Sequence, residues 1–248
     1  MTALTIAIPT YNNPQQLNLC LSTLFCCAPG DYKVLLVNNG DGDLSFPLPE
    51  VADGRVTVLK PEKNLGWCGG INAALRETDT EFFCMMNDDV VFLEGLPLFW
   101  AHLLKPFYEN PQVGATGPAS NFVASRQSIF FSPKAFNFHT SLLIGFCLLT
   151  RTELFRSLGG CDESLIGGDD YDLSIRLRLA GYKLEVVRES FLFHIGQQTG
   201  VRVVGKNYDS EWFQECVNNE IARKHGVVQW HDTFTQQVWY PETSEASL

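Results

Sequence analysis

The chain has 248 residues, and its 18 Lys and Arg stand against 28 Asp and Glu, which gives a formal net charge of −10 at pH 7. Because 45% of the residues are apolar and 19% are charged, the composition is that of a globular protein and excludes a mostly disordered one. The acidic balance disfavours a dedicated nucleic-acid-binding protein, which would carry a basic face.

The sequence contains no apolar stretch of about 18 residues or more, and its first residues lack the pattern of a signal peptide. The eight cysteines include no CxxC pair and mostly lie in apolar segments. This pattern favours buried, reduced thiols over structural zinc or disulfides. We therefore expect a cytoplasmic protein without a transmembrane segment.

The first part of the chain alternates predicted strands and helices. Apolar runs predict strands at residues 4–8, 34–37, 55–59 and 81–86, with helices after Asn13-Pro14 and over residues 66–76. This order predicts an α/β domain with a mostly parallel central sheet flanked by helices. Ligands bind at the carboxyl ends of strands in such sheets. The polar segments at those ends should therefore converge on one site: Thr10-Tyr11-Asn12, Asn38-Asn39-Gly40 and Asn87-Asp88-Asp89.

The second part of the chain is less regular. Residues 119–140 are rich in Ser, Phe and Asn without a clear period, and we interpret them as a long loop region. An apolar run around Gly145 follows. The remaining pattern predicts helices at 96–108, 151–158, 169–180 and 210–225 and extended segments at 184–187 and 191–193.

Asn87-Asp88-Asp89 follows a predicted buried strand. Adjacent carboxylates repel each other unless a cation or a donor relieves them, and hard oxygen ligands suit Mg²⁺ or Mn²⁺. A plain turn is the alternative, because Asn and Asp are common turn residues.

A second acidic segment, Gly168-Asp169-Asp170-Tyr171-Asp172, opens a predicted helix. Acidic residues are favoured at helix N-termini for structural reasons alone. One cap would suffice, however, and a partly shielded carboxylate with a raised pKa is a suitable general base. Both interpretations remain open from the residues alone.

Two further features are weaker by themselves. His194 lies near apolar residues, where a structural histidine is common. The segment from Asn64 to Asn72 includes Gly66, Gly69 and Gly70 at a helix start, where backbone amides can approach an anion. It matches neither the dinucleotide-binding fingerprint nor the P-loop.

The order of these features resembles family 2 glycosyltransferases, which have the GT-A fold. The resemblance covers roughly residues 4–196, and its glycine segment and acidic stretch are most similar to the rhamnosyltransferase-like branch. The segments that carry it are IAIPTYN (6–12), VNNG (37–40), NLGWCGGIN (64–72), NDD (87–89), GGCDE (159–163), GDDYD (168–172) and His194.

The resemblance implies a role for each matching residue. Asp89 and His194 would hold Mn²⁺ or Mg²⁺, and Asp170 would be the catalytic base, with Asp169 as the alternative. The residues implied in binding the nucleotide sugar are Pro9, Thr10, Tyr11, Asn12, Asn39, Asn64, Gly69, Gly70, Asn72, Asn87 and Asp88.

The implied reaction is a metal-dependent, inverting transfer of a sugar, of hexosyltransferase type, from a UDP-, dTDP- or GDP-linked donor. The acceptor would be a hydroxyl of a glycan, a lipid-linked glycan or a protein. The sequence departs from the family pattern at Asn38, at Asn87 and at Asp169, where an acid, Asp and Glu are usual. These departures weaken the assignment of the donor more than that of the chemistry.

We expect one GT-A domain over residues 1–240, with a nucleotide-sugar-binding half (1–95), an acceptor-binding half (96–200) and a C-terminal helical segment (201–240) that could serve dimerisation. A disordered tail would follow at 241–248. The alternatives are a catalytically inactive nucleotide-sugar-binding homologue and a sugar-phosphate nucleotidyltransferase, which would need a basic loop after the first strand. Transfer onto modified DNA is disfavoured by the net charge.

Overall fold

The computed structural model describes residues 4–44, 54–121, 123, 125–130, 136–165, 167–196, 211–225, 227–229 and 240–241. Its strands are β1 (Leu4–Thr10), β2 (Tyr32–Asn38), β3 (Val56–Leu59), β4 (Phe82–Met86), β5 (Val90–Phe92), β6 (Val113–Ser120), β7 (Phe138–Thr140), β8 (Cys147–Arg151), β9 (Lys183–His194), β10 (Val227–Gln229) and β11 (Tyr240–Pro241). Its helices are α1 (Pro14–Cys27), α2 (Gly66–Arg76), α3 (Phe99–Glu109), α4 (Thr152–Ser157), α5 (Asp169–Leu179) and α6 (Glu211–His225).

The first four strands form a parallel sheet in the order β3-β2-β1-β4. Every residue of β1 is buried, because both faces of the sheet are covered. Ile6 and Ile8 pack with the apolar stripe of α1, whereas Ala7 packs with Ile71 and Ala74 of α2. The period of two in β1 therefore sends alternate side chains into two separate cores.

The second half extends this sheet with mixed strand directions. Strand β8 runs antiparallel to both β4 and β6, and β9 runs parallel to β6. Strands β5 and β7 pair antiparallel with β9. The structure is therefore an α/β domain with one central sheet flanked by helices, parallel in its first half as the sequence predicts and mixed in its second.

Several elements of the second half differ from the sequence-based expectation. Strands β5 and β6 were not predicted. Strand β5 has only three residues, and β6 reads VGATGPAS, in which only Val113 and Thr116 are β-branched and no residue is aromatic. The predicted loop at 119–140 begins in β6 and ends in β7. The two predicted extended segments at 184–187 and 191–193 are parts of one strand, β9.

Near the C-terminus, helix α6 packs against helix α5. Val217 and Ile221 of α6 are buried and pack against Ile175 of α5. Of the predicted tail only Pro241 is described, and it pairs with Val227, while residues 242–248 lie outside the described residues. Among the residues described, no helix is both long and apolar enough to span a membrane.

Candidate active site

The neighbouring strands β1 and β4 bring Thr10 and Asp88 together at their carboxyl ends. The Thr10 hydroxyl donates a hydrogen bond of 2.6 Å to Oδ2 of Asp88. Both residues are 3% exposed. A short hydrogen bond to an ionised acceptor is among the stronger kinds. Thr10 therefore fixes the orientation of the Asp88 carboxylate at the floor of the site.

Asn39 joins the end of β2 to the glycine segment. Its backbone N–H donates to the Thr10 carbonyl at 2.9 Å. Its side-chain Nδ2 donates to the Gly66 carbonyl at 3.0 Å, and its Oδ1 accepts from the Leu65 N–H at 3.1 Å. Both polar atoms of the Asn39 amide are thus engaged with backbone, and they hold the glycine segment beside β1.

Gly70 allows the glycine segment to approach β1 closely. A Cβ on Gly70 would lie 3.0 Å from the Cβ of Pro9, so a larger residue would push α2 away from the strand. At the start of the segment, Oδ1 of Asn64 accepts from the Gly66 N–H at 2.8 Å. The predicted nucleotide residues Pro9, Asn64 and Gly70 therefore lie in one wall of the site.

Tyr11 and Asn12 follow β1 at the rim of this wall, with Tyr11 half-buried and Asn12 exposed. Asn12 has a positive φ of 49°, which is uncommon outside glycine. Its side chain forms two hydrogen bonds of 3.2 Å with Asp41, one to the carboxylate and one from the backbone N–H. A Cβ on Gly40 would lie 2.4 Å from Oδ1 of Asn12, so this contact requires glycine at position 40.

Asn72 binds the loop that carries the GGCDE segment. Its Nδ2 donates to the Cys161 carbonyl at 2.9 Å and to Oε1 of Glu163 at 2.8 Å. Its Oδ1 accepts from the Cys161 N–H at 2.9 Å. Gly69, one turn earlier, has Oε2 of Glu163 within 3.5 Å of the place of its Cβ. Asn72 and Gly69 therefore face this loop, and Asn72 connects it to α2.

The predicted metal ligands lie next to each other where the turn between β4 and β5 meets the end of β9. Oδ1 of Asp89 is 3.3 Å from Nε2 of His194, and the two side chains are 4% and 12% exposed. Nδ2 of Asn87 lies 3.2 Å from the same Nε2. Nε2 of His194 thus faces both the Asp89 carboxylate and the Asn87 amide.

These residues fit a divalent cation. Oδ1 of Asp89 is buried and has no hydrogen-bond partner among the described residues. A buried polar atom without a partner is costly, and a cation would supply the missing interaction. A carboxylate suits Mn²⁺ or Mg²⁺, and an imidazole nitrogen beside it can be a second ligand to a transition-metal ion such as Mn²⁺. The described part of the chain holds no group of three or more His, Cys, Asp or Glu suited to a metal, so the remaining ligands would be diphosphate oxygens and water.

His194 is oriented by two residues that the sequence did not single out. Oδ1 of Asn121 accepts from the His194 backbone N–H at 2.7 Å, and Nδ2 of Asn121 donates to the His194 carbonyl at 3.1 Å. The ring of Phe146 stacks on the imidazole, with centroids 5.1 Å apart and planes inclined by 22°. The imidazole is therefore fixed from its backbone and from one face.

Phe146 and its neighbour Gly145 also reach the predicted base. The Phe146 carbonyl accepts from the Asn87 N–H at 2.9 Å. The Gly145 N–H donates to Oδ1 of Asp170 at 2.6 Å. Two consecutive residues thus contact the NDD segment, a predicted metal ligand and the predicted base.

Two acids at the start of α5, Asp169 and Asp170, have raised pKa values. Desolvation raises the pKa of Asp170 well above its usual range, the charge of Asp169 adds to this effect, and the hydrogen bond from Gly145 opposes it. Desolvation also raises the pKa of Asp169, and a hydrogen bond from the Trp67 side chain opposes it. Carboxyl groups with raised pKa are suited to proton transfer near neutral pH.

The third acid of this segment, Asp172, behaves in the opposite way. Desolvation acts to raise its pKa, but hydrogen bonds from His225, Arg176 and Lys224 outweigh it and hold the pKa well below the usual range. Its side chain is 1% exposed. Asp172 is therefore a buried, ionised anchor between helices, whereas Asp169 and Asp170 are the candidates for chemistry.

The sequence contained a signal for one of the residues it missed. Gly145 stands alone in an apolar run, and an isolated glycine in a strand-like pattern indicates a close backbone approach. Here the approaching group is the Asp170 carboxylate. Asn121 lies in an irregular segment, where neither spacing nor chemistry distinguishes it from other polar residues.

The chain is similar to known proteins in both sequence and fold. The model of the family described as Glycosyl transferase family 2 matches residues 5–159. Uncharacterized protein y4gI of Sinorhizobium fredii is 24% identical over 183 residues, which are 62% of this chain and 20% of that protein. The chain thus spans about a fifth of the length of this relative.

Two solved structures share the fold. The crystal structure of GalNAc-T7 with UDP, GalNAc and Mn²⁺ has a TM-score of 0.65 and 14% identity over 79% of this chain and 44% of that one. The mannosyltransferase PcManGT from Pyrobaculum calidifontis, in complex with GDP-Man and Mn²⁺, has a TM-score of 0.61 and 18% identity over 80% and 58%. At these identities the similarity establishes the fold.

Proposed function

The chain belongs to glycosyl transferase family 2, and on that premise we propose that it transfers a sugar from a nucleoside-diphosphate sugar to an acceptor hydroxyl. The observation that carries the proposal is the Gly145-Phe146 pair. It joins the raised-pKa carboxyl of Asp170 to the imidazole of His194, and so brings a candidate base and a candidate metal ligand into one site.

The donor occupies the carboxyl ends of β1, β2 and β4. Tyr11 and Asn12 lie at the rim, beside the Asn39 contact with the glycine segment. Thr10 and Asp88 form the floor below the sugar and diphosphate. The fold is shared with a structure that contains UDP and with one that contains GDP-Man, which supports a nucleotide at the carboxyl ends of these strands. UDP, dTDP and GDP are the nucleotides to test.

In this proposal Asp89 and His194 would hold Mn²⁺ or Mg²⁺. A cation there would supply positive charge against the negative charge that develops on the leaving diphosphate. The chain's own contribution is the geometry of the two ligands. Asn121 fixes the backbone of His194, Phe146 fixes its ring, and the buried Oδ1 of Asp89 is left available for the cation.

Asp170 acts as the general base. Its raised pKa favours taking the proton from the acceptor hydroxyl as the oxygen attacks the anomeric carbon. Attack opposite the leaving diphosphate inverts the configuration at that carbon. Asp169, whose pKa is also raised, is the alternative base. The acceptor is a glycan, lipid-linked glycan or protein, and the donor is a hexosyl nucleotide, as in the rhamnosyltransferase-like branch.

The experiment that tests this function measures release of nucleoside diphosphate. The protein is incubated with UDP-, dTDP- and GDP-linked hexoses, with and without Mn²⁺, and with a mixture of glycan acceptors. We expect nucleoside diphosphate to be released from the sugars of one nucleotide in the presence of Mn²⁺, and we expect Asp170→Asn to abolish this release. Binding of a donor without release, by wild type and by Asp170→Asn alike, would favour an inactive nucleotide-sugar-binding homologue.

A further inference from the structure

Helix α6 lies directly on the turn that starts the catalytic helix α5. Gly168, the residue before α5, has a positive φ of 76°. A Cβ on Gly168 would lie 2.8 Å from Cγ1 of Val217 and 3.1 Å from Cγ1 of Ile221. These two α6 residues are 5% and 1% exposed. The apolar face of α6 therefore covers the backbone that immediately precedes Asp169 and Asp170.

The last turn of α6 adds a polar contact to this packing. Nζ of Lys224 is 2.6 Å from Oδ2 of Asp162 and 2.5 Å from Oδ1 of Asp172. Nε2 of His225 lies 2.7 Å from Oδ1 of Asp172 as well. Arg176 of α5 pairs with the other oxygen, Oδ2, with Nε at 2.9 Å. Lys224 thus bridges two acids that are separated in sequence, and one of them is fully buried.

The two acids belong to the two segments that frame the predicted base. Asp172 lies in the first turn of α5, two residues after Asp170. Asp162 lies between Cys161 and Glu163, which Asn72 binds to α2. Because Lys224 contacts both acids, it connects the first turn of α5 to the loop held by the glycine-containing helix.

We propose that Lys224 is a positioning residue for the transfer reaction, which holds the first turn of α5 so that Asp170 meets the acceptor. This rests on the proposed function. Lys224 touches neither predicted metal ligands nor the NDD segment in the described contacts, so it acts through Asp172 and Asp162. A small displacement of a catalytic group is enough to slow chemistry by about 10²-fold.

The bridge also carries charge. The Asp172 carboxylate acts to raise the pKa of Asp169, and Asp169 in turn acts to raise the pKa of Asp170. Removing the Lys224 charge leaves Asp172 less compensated, so the pH below which activity is lost should move upward. The charged or titratable groups around this turn are Asp169, Asp170, Asp172 and Arg176 of α5, Cys68 of α2, Cys161 and Asp162 of the loop, and Lys224 and His225 of α6.

The test compares Lys224→Met with Lys224→Arg, which keeps the charge. Lys33→Met is the matched control, because Lys33 pairs with Asp79 elsewhere on the surface. Well below the melting temperature of each variant, we expect Lys224→Met to lower kcat by about 10-fold to 100-fold with the donor KM within about twofold. The acidic limb of its kcat profile should move to higher pH, and Lys224→Arg should restore both.

A second measurement does not depend on activity. Hydrogen exchange of the peptide spanning residues 167–172 should accelerate in Lys224→Met and stay at the wild-type rate in Lys33→Met. Unchanged exchange, or a kcat and pH profile equal to those of Lys33→Met, would overturn the proposal. If the wild type transfers no sugar, the proposed function fails, and the exchange result still decides whether Lys224 holds the turn.

Discussion

The backbone N–H of Gly145 donates a 2.6 Å hydrogen bond to Oδ1 of Asp170 and leaves no space for a side chain at position 145. The next residue, Phe146, stacks on the imidazole of His194. One dipeptide directly before β8 therefore contacts both the proposed base and the proposed metal ligand.

Gly145→Ala tests this relationship. A Cβ at position 145 would lie 2.6 Å from Oδ1 of Asp170, so the carboxylate must move. We expect kcat to fall by about 10²-fold, since misplacement of a catalytic group costs that much, while donor affinity stays near wild type. Gly30→Ala is the control, because its Cβ would meet side-chain atoms at 3.3 Å near the opposite ends of the strands. Equal kcat in the two variants would contradict the assignment.

Asp170→Asn tests the base itself. General-base catalysis is worth about 10²–10⁴-fold, and we expect a loss of kcat in this range with donor binding retained. Because desolvation raises the pKa of Asp170, wild-type kcat should fall as the pH is lowered through a value above the ordinary Asp pKa of about 3.9. Steady-state kinetics from acid to neutral pH measure both effects. Near-wild-type turnover by Asp170→Asn would shift the role to Asp169.

Asp89→Ala and His194→Ala test the metal site. Each variant removes one of two adjacent side chains whose facing atoms are 3.3 Å apart. We expect calorimetry to show that Mn²⁺ no longer strengthens binding of the nucleoside diphosphate. Asp79→Ala removes a surface carboxylate paired with Lys33 and should leave the effect of Mn²⁺ intact. Persistence of that effect in both site variants would contradict the ligand assignment.

Much of the first half of the fold could be predicted from sequence, because it is local in origin. Strand β1 is a continuous apolar run, and Leu17, Leu21 and Leu24 mark the buried stripe of α1 at helical spacing. Strand β6 could not be found in this way. Its small residues are buried because tertiary neighbours cover them, and no pattern in VGATGPAS reports those neighbours.

The same limit applies to the candidate site. The acidic segments and His194 were visible as residue types, but residue type and spacing, without the family resemblance, could not separate the roles of Asp170 and Asp172. Their difference comes from distant partners, since Asp172 meets His225 across 53 residues of sequence. The hydrogen bond between Asn72 and Cys161 spans 89 residues of sequence and could not be predicted either.

Asn72→Ala tests whether that pairing stabilises the fold. The substitution removes three hydrogen bonds and leaves the backbone N–H of Cys161 without its partner. Cys161 itself is only 7% exposed. A lost buried hydrogen bond costs about 1–3 kcal/mol, which corresponds to a fall of about 2–12 °C in Tm for a chain of this size. Calorimetry without nucleotide measures this directly. An unchanged Tm would contradict this stabilising role of Asn72.

In our proposal, the carboxyl ends of β1, β2 and β4 bind a nucleotide sugar with a divalent cation. Thermal unfolding of the wild-type protein, measured against UDP-, dTDP- and GDP-linked sugars with and without Mn²⁺, tests it most directly, because a ligand of the folded state raises Tm by mass action. We expect a rise in Tm with the sugars of one nucleotide that requires Mn²⁺ and disappears in Asp89→Ala. An unchanged Tm with every donor in the presence of Mn²⁺ would contradict it.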